Sequence, residues 1–237
     1  MNIKYKQTVV HYEIIGNQNP VIVYLHGWGM DSNSFRYFVN NISATHILID
    51  FPPFGKSKEP QIAWTVKNYA KMVACILKKH NIKSFSMVSH SFGTRVAIYL
   101  NSFRNINIEK LVITGGAGLK PKNKIKKAYR KVKYKIIKLF NKNALIGSND
   151  YKILSPVMKK TFSNIVNQDL SNLAKQINCK TLIIYGKKDK ETPIYMAKKF
   201  NKLIQNSTLK IYKNCNHFAF LQNKEQFLLD INIFLKD

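Results

Sequence analysis

Phe85 to Gly93 read FSMVSHSFG, an apolar run that passes into Ser89, His90, Ser91, Phe92 and Gly93 and then into the helix-patterned stretch Gly93 to Phe103. A short apolar run followed by apolar residues three and four apart predicts a buried strand that turns sharply into a helix. A serine on such a turn projects its hydroxyl above the sheet, and the residues two before and two after it must be small so that strand and helix can pack. Ser89 and Gly93 meet that size requirement, with serine at the first position where glycine is commoner. A serine that merely caps a helix explains neither the strand leading in nor two segments found later in the chain. Ser91 is therefore the candidate nucleophile.

Outward from this turn, short apolar runs alternate with helical periodicity. The runs are Val21 to Leu25, Ile47 to Ile49, Phe85 to Val88, Leu111 to Thr114, Thr181 to Tyr185 and Leu209 to Tyr212. Helical spacing marks Val66 to His80, Gly93 to Phe103, Tyr195 to Gln205 and Gln226 to Leu235. Continuous apolar runs suit strands buried on both faces, so the order predicts an α/β fold with a mostly parallel central sheet covered by helices on both sides. Residues 3 to 15 alternate polar and apolar instead and predict an antiparallel edge hairpin. From about Lys120 to Leu173 the alternation is interrupted by helix-like sequence with no strand signal. The expected organisation is a single domain whose core is residues 1–118 and 174–237, with a helical lid insertion at 119–173.

Thr181 to Pro193 read TLIIYGKKDKETP, a buried strand and glycine turn with Asp189 just beyond its carboxyl end. Loops at that end of an open α/β sheet converge on one crevice, so Asp189 stands where a carboxylate that orients a histidine is needed. Glu191 is its nearest rival. Leu209 to Phe220 read LKIYKNCNHFAF and place His217 on the loop before the last helix. The chain order Ser91, Asp189, His217 is the one expected for a triad on this kind of fold, with His217 as general base. His90, as the nucleophile's neighbour, cannot turn its side chain toward it, while His11, His46 and His80 read as surface or structural. Val21 to Gly29 read VIVYLHGWG, a strand ending in a loop whose Trp28 N–H, with that of Phe92, would bind the oxyanion of a tetrahedral intermediate. His26 is expected to brace that loop by hydrogen bonds.

Four segments in this order, HGWG, DFPPFGKS at Asp50 to Ser57, SHSFG, and the YGKKDKETP and NHFAF pair, resemble the α/β-hydrolase superfamily across nearly the whole chain. The HGWG loop with DFPPFGKS is most similar to the carboxylesterases related to pimeloyl-acyl-carrier-protein methyl ester esterase. That pattern usually carries glycine at the positions of Pro53, Ser89 and Thr94. The resemblance implies hydrolysis of a carboxylic ester or thioester through an acyl-enzyme, without cofactor or metal. Carbon–carbon bond hydrolysis and perhydrolysis run on the same triad in similar folds. A non-catalytic binding module for a small molecule is the remaining reading, although such a module has no need of all three residues.

The chain has 237 residues, a formal charge of +27 from 39 Lys and Arg against 12 Asp and Glu, and a 45% hydrophobic share that suits one packed domain. Richness in Lys, Asn and Ile together is the pattern an AT-rich genome imposes on surface positions. One basic cluster stands apart. Asn123 to Phe140 set Ile125, Tyr129, Val132, Ile136 and Leu139 on one helix face and mostly Lys and Arg on the other, with no acid from Lys120 to Asn149. That basic face is either solvated or a docking surface for an acidic carrier protein or an anionic membrane; nucleic acid is not expected. Cys75, Cys179 and Cys215 match neither a zinc site nor a redox pair, so reduced thiols are expected. No signal-peptide pattern and no spanning apolar run is seen, which predicts a cytoplasmic protein.

Overall fold

The computed structural model describes residues 1–120 and 154–236. Its centre is an eight-stranded sheet in the order β1-β2-β4-β3-β5-β6-β7-β8. The strands are β1 (Asn2–Tyr5), β2 (Thr8–Ile15), β3 (Val21–Leu25), β4 (Thr45–Ile49), β5 (Ser84–His90), β6 (Asn107–Thr114), β7 (Lys180–Gly186) and β8 (Ser207–Tyr212). β1 and β2 form the antiparallel edge read from residues 3 to 15, and β2 also runs antiparallel to β4. From β4 to β8 every pairing is parallel.

Side chains alternate across these strands, and each face buries its own apolar set. Val23, Leu25, Ile47, Ile49, Met87, Leu111, Ile113 and Ile183 point to one side, where α2 (Val66–Lys79), α3 (Phe92–Asn101) and α6 (Ile194–Leu203) cover them. Ile22, Tyr24, Leu48, Val88, Val112, Leu182 and Ile184 point to the other, against Phe35, Phe38, Phe220, Phe227 and Ile231. Those partners come from the 3-10 turn Ser32–Phe35 and from α1 (Arg36–Val39), α7 (Ala219–Gln222) and α8 (Lys224–Lys236). Helix α2 shows how sequence sets the layer. It buries Val66, Tyr69, Ala70, Val73, Ile76 and Leu77 on one face, while Asn68 Oδ1 accepts the Thr65 N–H at 2.9 Å to hold its first turn.

Several strands extend beyond the apolar runs because their polar residues find partners. His46, inside β4, has Tyr24 Oη 3.0 Å from Nδ1 and the Ile42 carbonyl 2.9 Å from Nε2, so a buried imidazole costs little there. Between β6 and β7 the described residues form α4 (Pro156–Asn167) and α5 (Ser171–Ala174). Ser155 caps α4 by accepting the Met158 N–H at 3.1 Å. Arg95 of α3 ties α4 down, donating from Nη1 to the carbonyls of Ile165 at 2.8 Å and Gln168 at 3.0 Å. Asn123 to Phe140, with its basic face, lies outside the described residues. Among the described residues no helix is long and apolar enough to cross a membrane.

Candidate active site

The carboxyl ends of β5, β7 and β8 bring Ser91, Asp189 and His217 together. Ser91 follows β5 directly and adopts φ +48° and ψ −108°, a conformation that non-glycine residues rarely hold and that costs about 1–3 kcal/mol. The surroundings fix it there. Its N–H donates to the Thr114 carbonyl at 3.1 Å, and its own carbonyl accepts from Thr94 at 3.1 Å and Ala117 at 3.2 Å. A Cβ on Gly93 would stand 2.1 Å from the Leu25 carbonyl oxygen, so only glycine lets α3 leave the sheet at this angle. Ser89 and Thr94 stand where the sequence resemblance leads one to expect glycine, and their hydroxyls lie 3.2 Å apart, with Ser89 Oγ also donating to the Val112 carbonyl at 3.0 Å. Each larger residue is thus matched by the other, and the turn keeps its shape.

Ser91 Oγ lies 2.9 Å from His217 Nε2, and His217 Nδ1 lies 2.9 Å from Asp189 Oδ2. Asp189 Oδ1 accepts the N–H groups of Glu191 and Thr192, both at 2.8 Å, and Thr192 Oγ1 stands 2.8 Å from Oδ2. An ionised carboxylate only accepts hydrogen bonds, so Nδ1 carries the imidazole proton and Nε2 is left to accept the Ser91 O–H. Burial opposes charge on His217, but the hydrogen bond and charge of Asp189, helped by Glu191, outweigh it and hold its pKa above the ordinary value. The ring is a stronger base than a free imidazole.

Glycines let these loops meet. At Gly115, with φ +53°, a Cβ would stand 2.9 Å from the His217 carbonyl oxygen, and at Gly186 it would stand 2.2 Å from that of Asn216. His90 points away from Ser91, with Nδ1 3.0 Å from the Thr114 carbonyl and its ring 4.8 Å from that of His217. Burial, then the neighbouring His217 charge, push its pKa well below the ordinary value, so it is a neutral platform beneath the second imidazole. His11 and His80 are structural too, the first 3.0 Å from Asp50 Oδ2 and the second 2.8 Å from Tyr12 Oη.

Trp28 lies on the loop after β3 and Phe92 directly follows Ser91, and neither N–H is engaged among the described residues. Phe92 opens α3, so its N–H belongs to the positive end of a helix dipole. His26 braces the Trp28 loop, with Nδ1 2.7 Å from the Gly27 carbonyl and Nε2 accepting the Phe51 N–H at 2.8 Å. Burial pushes its pKa below the ordinary value. The Trp28 ring packs at 5.0 Å on Phe54, 5.5 Å on Phe92 and 5.2 Å on Phe162 of α4, which makes an aromatic wall beside the turn. Among the described residues no group of three or more His, Cys, Asp and Glu is placed to hold a metal.

Thr192 and Arg95 were not singled out from sequence, since a threonine in a turn and an arginine in a helix carry no signal of their own. Glu191, the rival carboxylate, meets the opposite nitrogen: its Oε2 is 3.3 Å from Nε2. Burial, more than the charge of Asp189, raises its pKa, while His217 lowers it.

A family model described as the alpha/beta hydrolase fold matches residues 20–150, more than half of the chain. The pimeloyl-[acyl-carrier protein] methyl ester esterase of Wigglesworthia glossinidia brevipalpis is 26% identical over 95% of this chain and 97% of its own length. The 2-hydroxy-6-oxo-6-(2'-aminophenyl)hexa-2,4-dienoic acid hydrolase of Metapseudomonas resinovorans is 23% identical over 90% of this chain and 82% of its own. An esterase from Exiguobacterium antarcticum superimposes with a TM-score of 0.82 at 21% identity, covering 100% of this chain and 99% of that one.

Proposed function

The chain belongs to the alpha/beta hydrolase fold family, and from the geometry of its site we propose that it hydrolyses a carboxylic ester or thioester through a covalent acyl-serine. The observation that carries this is the unbroken chain Ser91 Oγ, His217 Nε2, His217 Nδ1 and Asp189 Oδ2, with 2.9 Å at both steps, built on a serine held at positive φ. His217 takes the Ser91 proton as Oγ attacks the carbonyl, Asp189 stabilises the imidazolium, and the N–H groups of Trp28 and Phe92 receive the oxyanion. The proton passes from Nε2 to the leaving group. Water, activated by the same histidine, then releases the acid.

Ser91→Ala is expected to lower turnover of a 4-nitrophenyl ester by a factor on the order of 10⁶ while the fold persists. Turnover within about tenfold of the parent, in a preparation free of other hydrolases, would refute the assignment. Labelling by a fluorophosphonate probe separates enzyme from binding module, because only an activated serine reacts.

A second reading rests on the dienoic acid hydrolase relative. The compound in its name has no ester, so its hydrolysis must break a carbon–carbon bond. The same Ser91, His217 and Asp189 would serve, and side-by-side turnover of an ester and such an oxo-dienoic acid decides between the two.

A further inference from the structure

His217 has a carboxylate at each nitrogen, and acyl transfer uses one of them. Asp189 meets Nδ1 at 2.9 Å with a side chain that is 0% exposed, whereas Glu191 approaches Nε2 at 3.3 Å with a side chain that is 28% exposed. Nε2 is also the nitrogen that faces Ser91 Oγ, and it carries the proton to the leaving group. Glu191 therefore stands beside the nitrogen that faces Ser91, partly exposed to solvent. Its position is built in by the turn, because Asp189 Oδ1 fixes the N–H groups of both Glu191 and Thr192. The titratable groups acting on it are His217 and Asp189, with the neutral His90 ring behind His217.

We propose that Glu191 sets the charge of the leaving group that this site accepts, admitting neutral or cationic ones and turning away those that carry an anion beside the scissile bond. This rests on Ser91 and His217 being the reacting pair. The physical basis is Coulombic. A second anion brought within one residue's length of a half-screened carboxylate meets a repulsion of about one decade in rate, and a cation gains by a similar factor. The same charge favours the imidazolium, so Glu191 also moves the acid limb of the rate profile to higher pH.

Three acetates with one acyl group and differently charged leaving groups test it: phenyl acetate, 3-carboxyphenyl acetate and 3-(trimethylammonio)phenyl acetate. For the parent protein kcat/KM is expected to fall in the order cationic, neutral, anionic. Glu191→Gln should raise the anionic-to-neutral ratio about tenfold and shift the acid limb for phenyl acetate to lower pH. Glu191→Asp keeps the charge and should keep the order. A parent protein with no ranking by charge, or a Glu191→Gln ratio and acid limb that match the parent, overturns the inference while ester hydrolysis stands. Absence of fluorophosphonate labelling at Ser91 overturns the acyl-transfer reading, and this inference with it.

Discussion

Asp189→Asn tests the site at its most constrained point. An asparagine has one acceptor oxygen where the aspartate has two. The Glu191 and Thr192 N–H groups, each 2.8 Å from Oδ1, require that acceptor, so the amide oxygen must take the Oδ1 position. The NH₂ group then lies at the Oδ2 position, 2.9 Å from His217 Nδ1. Two donors cannot face each other, so Nδ1 must give up its proton and accept from the amide, which moves the imidazole proton to Nε2. A protonated Nε2 cannot take the proton from Ser91 Oγ. The expected loss is about 10⁴ in kcat, equivalent to about 5.5 kcal/mol in the barrier, as found when a triad histidine is held in the wrong tautomer. The assay is kcat for 4-nitrophenyl butyrate together with the rate of fluorophosphonate labelling, with thermal unfolding to establish that the fold survives. A variant that unfolds like the parent and retains kcat within about tenfold would refute the tautomer reasoning.

Gly93→Ala places a methyl group 2.1 Å from the Leu25 carbonyl oxygen, and it should cost about 3 kcal/mol or prevent folding; an unchanged urea midpoint would contradict the packing seen here. Arg95→Met keeps the apolar stem but removes the donors to Ile165 and Gln168, so α4 should loosen and KM should rise more than kcat falls, as measured with a long-chain and a short-chain ester. Stability should fall as pH drops below about 6.5, because the pKa values of His26, His46 and His90 are all depressed, mainly by burial, and the unfolded chain binds their protons first. His217, with its raised pKa, works in the other direction, contributing below about 6.5 and losing that contribution as pH rises through its native value, so three groups oppose one. A urea midpoint at pH 5.5 equal to that at pH 7.5 would refute this balance.

The parts of this molecule legible in its sequence are those where chain order and periodicity do the positioning. A strand that runs into a helix must place Ser91 on its turn, and successive parallel strands must bring their carboxyl ends to one edge, where Asp189 and His217 follow β7 and β8. The rest depends on which polar groups meet once the turns have formed, which chain order does not mark. Ser89 and Thr94 each read as a departure from glycine, and the structure adds that their hydroxyls lie 3.2 Å apart. Thr192 meets Asp189 three residues along the same turn, and its Oγ1 also lies 3.0 Å from the Gly115 carbonyl. Helices α1 and α7 have four residues each, about one turn, which is too short for a 3.6-residue period to show. Polar residues such as His46 hid the strand ends, since their partners Tyr24 and Ile42 are not marked as partners in the sequence.

The charge of the chain and the charge of its site act at different stages of a reaction. The formal +27 spreads a positive field over the surface and favours encounter with acidic molecules, an effect that fades beyond about 8 Å at physiological ionic strength. Glu191 acts at 3.3 Å from the reacting nitrogen, inside that distance and half shielded from solvent, so salt weakens it less than it weakens the surface field. Only 12 residues are acidic, and two of them meet one imidazole, against the prevailing sign of the molecule. A substrate that gains from both effects has its negative charge remote from the scissile bond and a neutral group beside it. Substrates anionic at the bond itself should gain in encounter and lose at Ser91. The two contributions separate by salt, because the encounter advantage of anionic substrates fades as ionic strength rises, while the effect of Glu191 at 3.3 Å largely persists.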